Sequence, residues 1–90
     1  MAIYYSTINN VVLTFSNIQE NSDGFERIIA RFERSTDSGF DYSEWKLPCI
    51  SVTKSFGFSE DETLEQERYL RNNAPLIWEI ARENGVVRIA

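Results

Sequence analysis

β-Branched and aromatic residues dominate the first half of the chain, with a clear period of two between Phe25 and Arg34, and apolar residues recur at helical spacing after Ser59. Ala2 to Ile8 and Val11 to Ile18 read as strands joined by Asn9-Asn10, because asparagine tolerates the positive φ of a tight hairpin turn. One long bent strand is the competing reading of that stretch. The polar cluster Gln19 to Gly24 ends in Asp23-Gly24, a second hairpin signal, and leads into Phe25 to Arg34. There Ile28, Ala30 and Phe32 alternate with Arg27, Ile29, Arg31 and Glu33, which predicts a half-buried strand with a charged outer face. Beyond the loop at residues 35 to 39, Phe40 to Leu47 and Cys49 to Phe56 each supply a strand around Pro48, which marks a bend or an edge because proline lacks a ladder donor.

The period changes at Ser59-Glu60-Asp61-Glu62, the pattern of a capping box, and a helix starts there. Leu64, Leu70, Ala74, Ile77 and Ala81 fall near one face, with Ile80 widening the stripe and Trp78 at its edge. Pro75 removes the donor that would pair with Arg71, so a kinked helix or a helix pair is expected. Asn84-Gly85 supplies a stop, and Val86 to Ile89 is β-branched enough to return as a short final strand. The expected architecture is one α+β domain over residues 1–90. Its antiparallel sheet of four to five strands, an N-terminal meander, packs against the C-terminal helical segment.

Composition narrows the function classes. Hydrophobic residues at 42% and charged residues at 26% are those of an ordinary folded domain, so disorder is set aside. The net charge of −5 repels phosphate backbones and anionic membranes, so neither direct nucleic-acid binding nor a membrane is expected. The acidity is uneven: residues 1 to 45 hold seven acids and three bases, or −4, and residues 46 to 90 hold seven and six, or −1. The lone Cys49 makes no intrachain disulfide and, set among apolar neighbours, reads as a small buried hydrophobe. With neither a membrane-length apolar run nor a leader pattern, the cytoplasm is the expected location.

Catalytic chemistry finds little purchase. The chain has no histidine, which leaves a serine, a threonine or Cys49 without the usual base and rules out a Cys/His zinc set. Asp37, Asp41 and Glu44 bring carboxylates to a loop and a strand start, but their spacing is not that of a calcium loop. Ser55 to Ser59 reads as a strand-to-helix turn that uses Gly57, since an anion cradle there would be opposed by the acids that follow. No cofactor or metal is expected and no catalytic residue is assigned; a small enzyme using Asp37, Asp41 or Glu44 is the least favoured reading, since it requires a pocket beside them.

Two candidate surfaces remain. Aromatic residues form 13% of the chain and gather in the strand half, where Tyr4, Tyr5, Phe40, Tyr42 and Trp45 are the candidate interaction surface. Because Tyr4 and Tyr5 are adjacent, a straight strand cannot bury both rings on the same face. The expected function is a non-enzymatic protein-interaction domain that self-associates, most simply as a homodimer. The alternative is an acidic inhibitor that mimics nucleic acid or docks a basic partner through Glu60, Asp61, Glu62, Glu65 and Glu67. Against it, helix-start electrostatics and a Glu67–Arg71 pair account for most of that run. Arg27, Arg31 and Lys46 share the solvent side of neighbouring strands, where cross-strand ion pairs are expected.

Overall fold

The computed structural model describes residues 2–89. Strands β1 (Ala2–Ile8) and β2 (Val11–Ser16) form the first hairpin. Asn9 and Asn10 take φ of 50° and 66°, the left-handed values that both central residues of a type I′ turn require. The chain breaks at Asn17, and β3 (Ile18–Glu20) carries on along the same edge of β4 (Glu26–Thr36). Ser16 bridges the break. Its Oγ accepts from the Ile29 amide at 3.0 Å and donates to the Asn17 carbonyl at 2.8 Å, so the interrupted ladder leaves neither group bare. β5 (Gly39–Leu47) pairs with the length of β4, and β6 (Ser51–Phe56) closes that side of the sheet.

The helix α1 (Glu60–Glu83) is one continuous element that contains Pro75, so no helix pair forms. Its capping box is complete: Ser59 Oγ accepts from the Glu62 amide at 3.1 Å, and Glu62 Oε1 accepts from the Ser59 amide at 2.9 Å. At about 1.5 Å per residue, its 24 residues carry the chain about 36 Å back along the sheet. The last strand, β7 (Val86–Arg88), therefore enters parallel to β3. The sheet is accordingly mixed and seven-stranded, a correction to the antiparallel sheet of four to five strands expected from the sequence. One cause is the break at Asn17, which splits the run Val11 to Ile18 into two strands. The other is the helical crossover, because strands linked through a long helix can run parallel.

One face of the sheet packs on α1. Leu13 and Phe15 of β2, Ile18 of β3, Ile28, Ala30 and Phe32 of β4, and Trp45 and Leu47 of β5 are buried there against Leu70, Ile77 and Ala81. Each large apolar side chain so buried contributes on the order of 1.5–3 kcal/mol. Trp78 packs at the margin of this core, half-buried. Two expectations are corrected. Leu64 is 55% exposed and the buried position one turn before Leu70 belongs to Gln66, since Leu64 lies about 120° around the helix from Leu70. Cys49 is exposed, because it sits with Pro48 on the outside of the β5–β6 turn while Ile50 turns inward.

Candidate functional site

The strand alternation divides the candidate aromatic surface. Tyr4, Phe40 and Tyr42 lie on the sheet face away from α1, where Tyr4 and Phe40 are 63% and 60% exposed. Trp45 points the other way and is 1% exposed, so it leaves the surface set as a core residue. Tyr5 also leaves the set. It alternates with Tyr4 and so faces the helix, where its ring meets Phe15 and Tyr69 edge-on and its hydroxyl donates to Asn73 Oδ1 at 2.6 Å; the bulge between Tyr4 and Ser6 brings Ser6 to the same side. Burial, and then the neighbouring Tyr69, push the Tyr5 phenol above its ordinary pKa.

Phe56 of β6 takes the vacated place. It stands opposite Tyr42, stacks on it with ring centroids 6.1 Å apart, and is 63% exposed. The Arg31 guanidinium also lies over the Tyr42 ring, 4.5 Å from its centroid. Across the same face Arg31 pairs with Glu44, directly opposite in register, and with Glu33. The Arg31–Glu44 pair is the cross-strand kind expected for this face, the Arg31–Glu33 pair lies within β4, and Arg27 bonds instead to Gln19 at 2.9 Å. All six residues of β6 are exposed, and its outer edge pairs with nothing among the described residues.

The acidic run breaks up in the same way. Glu62 is engaged in the capping box and accepts from Arg34 Nη1, while Glu67 accepts from Arg71 at 3.1 Å. Hydrogen bonds from Arg34, and then from the Ser59 amide, hold the Glu62 carboxyl below the usual glutamate range. Glu60, Asp61 and Glu65 are exposed and form no ion pair with the described residues. Arg34 is the hub of this end of the molecule. Its Nε and Nη2 donate to Asp41 Oδ2 at 2.9 and 2.7 Å, and its guanidinium stacks 4.8 Å from the Phe58 ring centroid. Gly57 makes room for this arrangement: at φ +85° it admits a backbone conformation that side chains disfavour, and a Cβ there would collide with the Asp41 carboxylate. Asp41 thus faces the helix side, while Glu44 faces the opposite side and Asp37 lies at an exposed turn, so the three carboxylates do not converge.

Between the β1–β2 turn and the first half of α1 lies a cleft of about 190 Å³. Leu13, Phe32 and Gln66, all largely buried, form its floor, and Ile8, Asn9 and Glu65, all exposed, form its rim. Tyr69 and Ser6 share a hydrogen bond of 2.9 Å on its wall. Asp37, Asp41 and Glu44 do not line it. Beneath the floor a polar relay crosses the core: Trp45 Nε1 donates to Ser43 Oγ at 2.9 Å, and Ser43 Oγ donates to Gln66 Oε1 at 2.6 Å. Sequence reasoning passed over Gln66, Ser43 and Arg34. The available signal was Gln66 itself, a polar residue four positions before Leu70 on an otherwise apolar helix stripe.

The fold and its surfaces define a single-helix α+β domain, a curled mixed sheet with one face covered and the other open. Compared with protein-family models, curated proteins and solved structures, the chain matches none. Among the described residues no group of three or more metal-ligating side chains converges, and no helix is long and apolar enough to cross a membrane.

Proposed function

We propose that this protein is a non-enzymatic interaction domain of the cytoplasm that self-associates through the open face of its sheet. The observation that carries this reading is the aromatic group of exposed Phe40 and Phe56 with half-buried Tyr42, beside the unpaired edge of β6. Aromatic rings held in place by stacking are the side chains that interfaces use as anchors. A second copy suits this face, because Arg31, Lys46 and Lys54 are interleaved there with Glu33 and Glu44 and the chain's acidic excess lies elsewhere. Lys54 and the bulge at Thr53 are devices that discourage open-ended strand addition, which favours a closed face-to-face dimer over a fibre. The exposed Cys49, free of any disulfide, fits a reducing compartment.

Sedimentation equilibrium over a wide concentration range tests this reading. The native chain is expected at twice its 10.5 kDa mass, and Phe56→Lys at the monomer mass with an unchanged circular dichroism spectrum. A native chain that stays monomeric throughout, or a Phe56→Lys variant that stays dimeric, refutes it.

A further inference from the structure

The cleft beside the first half of α1 has a chemistry of its own, set by the orientation of one amide. Trp45 Nε1–H can only donate, so Ser43 Oγ accepts from it, and the Ser43 hydroxyl proton goes to Gln66 Oε1. The reverse amide orientation would leave that proton without an acceptor at a residue with 0% exposure. The Gln66 Nε2 donors are therefore turned away from the relay. They have no partner among the described residues, yet the nitrogen keeps contact with solvent, and the concavity that Gln66 lines is this cleft. Gln66 as a whole is only 7% exposed, so an unpartnered amide sits at the base of an apolar slot.

Charge around the slot selects among acceptors. Arg34 is already answered by Asp41 and Glu62, and Glu65 adds an unpaired carboxylate at the rim. The lining holds one base, Arg34, against two acids, Glu62 and Glu65, which leaves −1 before Asp41 behind Arg34 is counted, so a carboxylate or phosphate entering here is repelled. A cation would satisfy Glu65 but would set donors against the Gln66 donors. An uncharged carbonyl meets both demands, since its oxygen accepts from Gln66 and any amide hydrogens have the rim carboxylates as acceptors. The volume of about 190 Å³ is below the roughly 300–1,000 Å³ of sites for larger ligands, so the ligand is small. We propose that this cleft binds a small uncharged carbonyl compound, typified by a primary carboxamide on a compact apolar body. The site is on the helix side of the sheet, so it is independent of the self-association surface.

Three isosteric probes decide the matter: benzamide, benzoate and benzamidine, neutral, anionic and cationic in turn. Each is titrated into ¹⁵N-labelled protein while the Gln66 side-chain amide and the Trp45 indole N–H are followed by NMR. Benzamide is expected to shift the Gln66 signals saturably, and the Trp45 signal with them through Ser43. Benzoate and benzamidine are expected to bind at least about five-fold more weakly, the penalty of one mismatched polar group. Glu65→Gln, which keeps an acceptor oxygen at the rim but removes its charge, should narrow the gap between benzoate and benzamide. Gln66→Met should abolish benzamide binding; if that variant fails to fold, the native ranking and Glu65→Gln still decide. Benzamide that moves neither signal up to its solubility limit, or a charged probe that binds as tightly, overturns the proposal.

Discussion

Arg34, near the end of β4, donates to the Glu62 carboxylate in the first turn of α1, the same carboxylate that closes the capping box on the Ser59 amide. At the other end of β4, Glu26 accepts from Arg82 in the last turn of the helix at 3.0 Å. The eleven residues of β4 span about 36 Å, as does the 24-residue helix, so strand and helix are matched in length and tied at both ends.

The tie at Glu62 makes stability depend on acid. Its carboxyl is held below its ordinary pKa, chiefly by Arg34, and Glu26 is held down in the same way by Arg82. A depressed carboxylate contributes stability that is complete above the unfolded value near ~4.3 and lost as pH falls through the folded one. Glu62→Gln keeps the capping geometry but not the charge. Urea midpoints measured from neutral pH down to about pH 3 should show the variant weaker at neutrality and the gap closing in acid. A gap that is constant with pH would mean that the charge of Glu62 contributes nothing.

Removing the cap itself has a separate signature. Ser59→Ala leaves the Glu62 amide without its acceptor and should cost about 1 kcal/mol of unfolding free energy, while Ser59→Asp, which also accepts, should stay close to the native value. Urea denaturation at neutral pH separates the two. Equal losses in both variants would show that the serine is not acting as a cap.

Gly57→Ala should be more damaging than the cap variant, despite adding a single methyl group. The added carbon meets the Asp41 carboxylate and also has to occupy φ +85°, so a loss of about 1–3 kcal/mol is expected. Because Asp41 must move, its grip on Arg34 should weaken as well. The Arg34 Nε–H signal, bonded to Asp41 at 2.9 Å, should shift in the variant's NMR spectrum.

These elements differ in how far the chain announces them. The turn at Asn9-Asn10 and the cap at Ser59-Glu62 are local chemistry, decided by neighbours within four residues, and both are legible as written. The parallel entry of β7 is not, because it follows from the span of a helix relative to a strand and not from Val86 to Ile89 themselves. Tyr4 and Tyr5 lie between these cases. Adjacency makes their rings diverge, as they do, but the bulge that brings Ser6 to the helix side along with Tyr5 is not announced by any turn or bulge residue there. The cleft was hidden for the same reason. Gln66, Ser43 and Trp45 lie on two elements and acquire meaning only when β5 and α1 come together.

That relay supplies the sharpest stability test. Ser43 is fully buried and serves both neighbours, so Ser43→Ala orphans the Trp45 indole N–H and strips Gln66 Oε1 of its donor. At about 1–3 kcal/mol for each unsatisfied group, a loss of about 2–6 kcal/mol is expected. Trp45→Phe removes the indole donor and leaves a cavity, yet it spares the Ser43–Gln66 bond. In the double variant no indole N–H remains to be orphaned, so its loss should fall short of the sum of the single losses by about 1–3 kcal/mol. A double-mutant cycle of urea unfolding measures that shortfall. Strict additivity would mean that Trp45 and Ser43 do not communicate, and it would remove the physical basis for the amide orientation at the floor of the cleft.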